Sequence, residues 1–247
     1  LAADIKAAGG TNIMAEGQMH ERTTVMAPSR EVLNEKKIFR YGDVVALAVA
    51  DTKDHARAAA AKVKVEIEQL PEYLSFLDAV MPDAMRIHED TPNIFCMQPL
   101  LKGAALEDAS KVAEIIDSSA YSVEGSFYSA RQPHLTIEGD CVQAYFDEDG
   151  FLTFQCKSQG VYSSIGRIGN SIGVPRDKLR VVMNPTGASF GWSTNAGDLC
   201  LAGAAAVVMK APVSLSMSYE EHQHFSGKRC PCHSNGRAAC DENGKIT

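Results

Sequence analysis

The stretch Leu179-Arg-Val-Val-Met-Asn-Pro-Thr-Gly-Ala-Ser-Phe-Gly-Trp192 decides how this chain is read. Leu179 to Met183 is an apolar run of strand length. Gly187 to Gly191 is a loop of small residues broken by one phenylalanine, and Ser193 to Ala211 is rich in Ala, Leu and Val. The pattern predicts a strand, a glycine loop, and an apolar helix that opens directly from the loop and ends near Lys210, before Pro212. Such a junction is a common way of holding an anion. Glycine lets the backbone approach a ligand closely, and free N–H groups at a helix start point at negative charge. Gly-Ala-Ser-Phe-Gly is neither G-x-G-x-x-G nor a P-loop with its lysine, so a plain tight turn is the competing reading. The phenylalanine suits a loop that presses on a flat cofactor as well as binding its phosphate.

Outward from this stretch, the pattern predicts a mixed α+β chain. Gly160 to Ser171 reads as a helix ended by Gly173-Val174-Pro175. Cys141 to Phe146 and Leu152 to Cys156 read as a hairpin turned at Asp147-Glu148-Asp149-Gly150. Tyr121 to Tyr128 is strand-like, Val213 to Tyr219 reads as a final strand, and Asp241 to Gly244 as another turn. Further upstream, Asp43 to Ala50 is a nearly continuous apolar run, expected to be a buried strand. Asp51-Thr52 caps an Ala-rich helix over Lys53 to Lys62. Val63 to Glu68 alternates as a strand with one wet face, completing a β-α-β unit. A short helix opens the chain at Leu1, and another is expected over Leu106 to Ile116. The composition weakens near there, which places a boundary between regions 1–105 and 106–247.

The chain has 247 residues, 45% hydrophobic and 22% charged, enough apolar material for a core. A net charge of −7 argues against a general nucleic-acid or anionic-membrane surface. No apolar run reaches the ~18 residues that span a bilayer. The start lacks Met and resembles no signal peptide, which points to a piece of a longer or processed chain of cytoplasmic type. The seven cysteines are too scattered for a disulfide framework. Cys156 and Cys200 sit in apolar runs and read as core residues. Cys230, Cys232, His233 and Cys240 invite a metal reading, but the spacing departs from paired C-x-x-C ligands, so free thiols on a strand and turn are expected and no metal site is assigned.

In order along the chain, these segments resemble the molybdenum hydroxylases, the xanthine dehydrogenase and aldehyde oxidoreductase family, and most closely its bacterial aldehyde oxidoreductases. Tyr41-Gly-Asp-Val-Val-Ala46, the Ala-rich helix and Val63-Lys-Val-Glu-Ile67 resemble part of the family's α/β hammerhead domain. Gly125-Ser-Phe-Tyr128, Arg131-Gln-Pro-His134, Ile137-Glu138 and Lys157-Ser158 resemble the first, mixed α/β part of the molybdenum-cofactor domain. Gly173-Val-Pro175 and Lys178-Leu-Arg-Val181 then precede Gly187-Ala-Ser-Phe-Gly191 at the family's spacing. The resemblance implies a molybdopterin cofactor with molybdenum, of the cytosine dinucleotide kind in some members. It implies cofactor contacts from Gly187, Ser189, Phe190, Gly191 and Trp192, with Ser158 near the metal's apical ligand. It also implies partners: iron–sulfur domains and a second molybdenum-cofactor domain outside these residues, in an enzyme that is a homodimer as a whole. The implied reaction hydroxylates an aldehyde or N-heterocycle with water-derived oxygen. The family's base, a glutamate in a later Gly-rich segment, lies beyond these residues, so no catalytic residue is assigned here.

Departures from the family pattern carry the alternative of a non-catalytic or degenerate split subunit. Ala188 and Ser193 stand where the family has glycine and lysine, and Ala at a position needing positive φ would be strained. Ser163 and Thr194 replace apolar channel residues. Glu138 is read as structural, pairing within the fold. His134 reads as a hydrogen-bonded structural histidine, and His222 and His224 as a solvated loop. Trp192 is either buried against the loop or set against the cofactor.

Overall fold

A computed structural model describes residues 1–15, 28–94, 102, 108 and 110–247. They fall into two compact units. The first spans residues 1–20, 24–95 and 133–227, the second 21–23, 96–132 and 228–247.

The first unit is built on a four-stranded sheet, and its chain order explains its shape. Cys141–Phe146 (β1) turns through Asp147–Gly150 into Leu152–Cys156 (β2), paired antiparallel from Val142 opposite Cys156 to Phe146 opposite Leu152. Asp147 fixes the turn by accepting from the amides of Asp149 and Phe151 and from the Thr153 hydroxyl. Helix α1, Val161–Ile172, then returns the chain to Leu179–Met183 (β3), which lies parallel to β2. Gly173, at φ +77, ends that helix in the left-handed conformation that glycine tolerates. Helix α2, Gly197–Met209, leads to Val213–Ser216 (β4), antiparallel to β1. The order across the sheet is β3-β2-β1-β4.

Burial follows this order. Phe154 and Leu152, on a central strand, are fully buried, and ten consecutive residues of α2 from Gly197 to Ala206 are buried. A helix covered all round carries no amphipathic stripe, which is why its sequence reads as uniformly apolar. Gly203 on α2 meets Phe154 and Ile172 so closely that an added Cβ would lie 2.8 Å from the Phe154 ring and 2.9 Å from Ile172.

Four expected elements differ. Asp43 to Ala50 is half-buried and forms no strand ladder among the described residues, and Val63 to Glu68 is exposed and unladdered. Alternation says which side chains are wet, but a strand exists only when a partner supplies the hydrogen bonds. The helix between them does form, at Lys53–Ala60, with Thr52 accepting from the His55 amide. The strand expected over Val213 to Tyr219 stops at Ser216. Ser218 and Glu221 then make a reciprocal capping box that starts helix α3, Tyr219–Phe225. Finally, α2 begins at Gly197 rather than at the loop. A single tight turn, Trp192–Thr194, intervenes.

The second unit pairs Tyr121–Ser129 with Cys232–Cys240, antiparallel over nine residues. Helix Ser110–Ser118 accompanies them, and Asp117 pairs with Arg237. The part of the expected Leu106 helix before Ser110 lies largely outside the described residues.

Candidate functional site

The Gly187–Gly191 loop follows β3, and its amides divide into two sets. Gly187 and Ala188 both donate to Glu138 Oε2, each at 2.7 Å. At the other end, the Trp192 amide donates to the Ser189 carbonyl (3.1 Å), and the Ser193 amide to Ser189 Oγ (2.7 Å). Between them, the amides of Ser189, Phe190 and Gly191 donate to no partner among the described residues. Phe190 has φ +48 and Gly191 φ +92. Two successive residues of positive φ reverse the chain here and leave three neighbouring N–H groups available to an acceptor. Phe190 is 65% exposed, so its ring lies outside the core.

The helix start contributes less than expected. The Gly197 amide is bonded to the Asn195 side chain at 3.0 Å, and Asp198 occupies the first turn of α2. The tight turn, not the helix terminus, presents the open donors. Ala188 lies outside the residues of positive φ, and the strain falls on Phe190 instead. Gly187 is needed for close approach: a Cβ there would sit 2.9 Å from Glu138 Oε2.

Beneath the loop is a buried polar cluster. Asp140 is 2% exposed, and its Oδ2 accepts from Trp192 Nε1 at 2.6 Å and faces His222 Nδ1 at 3.0 Å. Its Oδ1 lies 3.2 Å from Lys157 Nζ. Lys157 also donates to the carbonyls of Glu138 (2.8 Å) and Ala188 (3.4 Å). His222 Nε2 meets Thr136 Oγ1 at 3.2 Å. Burial alone would raise the Asp140 carboxyl, but hydrogen bonds from His222 and Trp192, with the charges of His222 and Lys157, hold it below the usual carboxylate range. Asp198 goes the other way: burial and the nearby Asp140 charge push it up to about 7.

The sequence-derived residues are thus placed as follows. Ser189, Phe190 and Gly191 carry the open amides. Trp192 is buried, edge-on to Phe225 at 5.7 Å and tilted against His134 at 6.0 Å, with its N–H on Asp140. Ser158 is buried on the segment after β2, where its Oγ accepts from the Gly160 amide (3.1 Å) and its carbonyl from Thr186 Oγ1 (3.3 Å). Glu138 pairs within the fold, as its structural reading expected. His222 departs from expectation: it is fully buried on α3, not in a solvated loop, while His224 sits edge-on to Tyr41 at 4.5 Å. An extended chain would have put both on one face, but helical spacing of two residues separates them. Cys232 and Cys240 end the same nine-residue strand, roughly 26 Å apart at strand rise, so they do not share a metal. Burial pushes the Cys156 and Cys200 thiols up to about 12.

Asp140, Lys157 and His222 were not assigned a joint role from sequence. One available signal was Ser218-x-x-Glu221. Read as a capping box, it turns 219–225 into a helix with His222 and Phe225 on one face.

Residues 87–247 match the family described as molybdopterin cofactor-binding domain. The chain is 40% identical over 217 residues to the aldehyde oxidoreductase of Megalodesulfovibrio gigas, covering 88% of this chain and 23% of that protein. It is 27% identical to the nicotinate dehydrogenase large molybdopterin subunit of Eubacterium barkeri, covering 91% of this chain and 51% of that one. The solved aldehyde oxidoreductase from Desulfovibrio gigas superposes with a TM-score of 0.84 at 34% identity, over 98% of this chain and 28% of that one. The chain therefore spans from 23% to 51% of the length of these relatives.

Proposed function

We propose, from the premise that this chain belongs to the molybdopterin cofactor-binding domain family of the xanthine dehydrogenase and aldehyde oxidoreductase proteins, that the turn at Ser189–Gly191 seats that cofactor. The observation carrying this reading is three successive amides with no partner among the described residues, two of them on residues of positive φ, beside an exposed aromatic ring. A flat, anionic pterin fits such a donor set: the amides meet its oxygens and the Phe190 ring offers an apolar wall. Ser158 and the Gly187 backbone border the same segment, as the resemblance assigns them. The cofactor, when bound, supplies the redox chemistry, and this chain supplies binding and orientation.

In this reading the chain is part of the molybdenum-cofactor subunit of an oxidoreductase. The whole enzyme hydroxylates an aldehyde or N-heterocycle with oxygen from water. The 40% identity to an aldehyde oxidoreductase supports the aldehyde side of that choice. Iron–sulfur domains and a second cofactor domain lie elsewhere in the assembled enzyme, which works as a cytoplasmic homodimer. Residues 1–105 take the hammerhead role and 106–247 the cofactor role. The degenerate-subunit alternative drew on a strained Ala188, and the absence of positive φ there removes that support.

The test is metal and pterin analysis of the purified whole protein. Molybdenum and pterin in equal amounts are expected, with pterin fluorescence appearing after denaturation. Absence of both overturns the reading.

A further inference from the structure

One buried carboxylate is tied to both ends of the turn that carries the open amides. At the far end, Asp140 Oδ2 accepts from Trp192 Nε1 at 2.6 Å. At the near end, its Oδ1 holds the Lys157 ammonium at 3.2 Å, and that ammonium donates to the Ala188 carbonyl at 3.4 Å. Asp140 and Lys157 are 2% and 6% exposed, so each needs the other: a lone charge at such depth is strongly destabilising. His222, brought in by α3, faces the same oxygen as the indole. Asp140 itself is too enclosed to reach a ligand.

We infer that Asp140 is a positioning residue: through Trp192 and Lys157 it clamps the 188–192 turn at both ends and so aims the amides of Ser189, Phe190 and Gly191. The identity of what those amides bind rests on the cofactor reading above. The clamping does not, because every bond in it lies within this chain. A neutral Asn at 140 can still accept from the indole, but it leaves the Lys157 ammonium without its counter-charge. The near end of the turn then loosens. Trp192→Phe keeps the ring's packing and removes only the N–H, which loosens the far end.

Hydrogen exchange read by mass spectrometry on the whole protein tests this. The reporters are the four bonded amides of the segment: Gly187, Ala188, Trp192 and Ser193. Asp140→Asn and Trp192→Phe are each expected to raise exchange in this segment about tenfold, with the interior of α2 changed far less. In the double variant the two rises are expected to combine, because each substitution frees a different end of the turn. Unchanged exchange in the segment overturns the inference. So does a rise spread evenly over β1, α2 and the loop. If Asp140→Asn does not fold, Trp192→Phe alone decides by the same segment. Molybdenum and pterin analysis of the same wild-type sample keeps the two ideas apart: loop exchange that responds to Asp140 in a protein without cofactor leaves the clamp standing and removes the cofactor reading.

Discussion

Asp198 shows how one buried side chain sets a pH dependence. In the fold its carboxyl keeps its proton up to about pH 7, against 3.8 for an unburied aspartate. Between those values the folded chain binds more protons than the unfolded one, so stability falls as pH rises. The contribution is whole below about 3.8 and is lost as pH passes about 7. Asp140 acts in the opposite sense, since its depressed carboxyl withdraws stability only when pH drops below the ordinary carboxylate range. The expected outcome is that Asp198→Asn flattens the decline in urea midpoint across that window. An unchanged decline in the variant contradicts this origin. Phe190 makes a related point about backbone. A phenylalanine held at φ +48 persists only because bonds on either side over-determine the turn, here Glu138 before it and Ser189 after it.

At the scale of elements, legibility tracked how local the physics was. The β1–β2 hairpin, α1, β3 and most of α2 were readable, because turn chemistry and apolar period act within a few residues of one another. Asp43 to Ala50 and Val63 to Glu68 have strand composition without a ladder, since pairing is a property of two segments and composition belongs to one. Helix α3 was read as a strand end and a solvated loop because the Val213–Tyr219 run hid the Ser218 cap. In the site, the loop was legible from Gly187 and Gly191, whereas the clamp beneath it was not. Asp140 stands 52 residues from Trp192 and 82 from His222, and no short pattern connects them. Element packing also yields a prediction with a definite sign. Ala is the better helix former by about 1 kcal/mol, so Gly203→Ala on α2 would gain on propensity alone. The added methyl meets the fully buried Phe154 ring at 2.8 Å, and overpacking of this kind costs about 1–3 kcal/mol. A net loss of about 1 kcal/mol is therefore expected in chemical denaturation. A more stable variant would show that the β2–α2 contact yields freely.

For the whole molecule, the relevant fact is how small a share of its relatives these residues span. They span 23% of the aldehyde oxidoreductase they resemble at 40% identity. The buried carboxyls Asp140 and Asp198 are engaged within the fold. The 247-residue chain by itself, given cofactor and an electron acceptor, is expected to oxidise no aldehyde. Turnover by that chain alone would contradict the division of labour proposed. The long separations in the clamp have a last consequence, for biosynthesis. A ribosome that has released the loop has not yet released His222, and until it does, a carboxylate destined for the interior lacks one of its partners. The buried cluster under the turn therefore gains its full set of partners only once α3 has been translated.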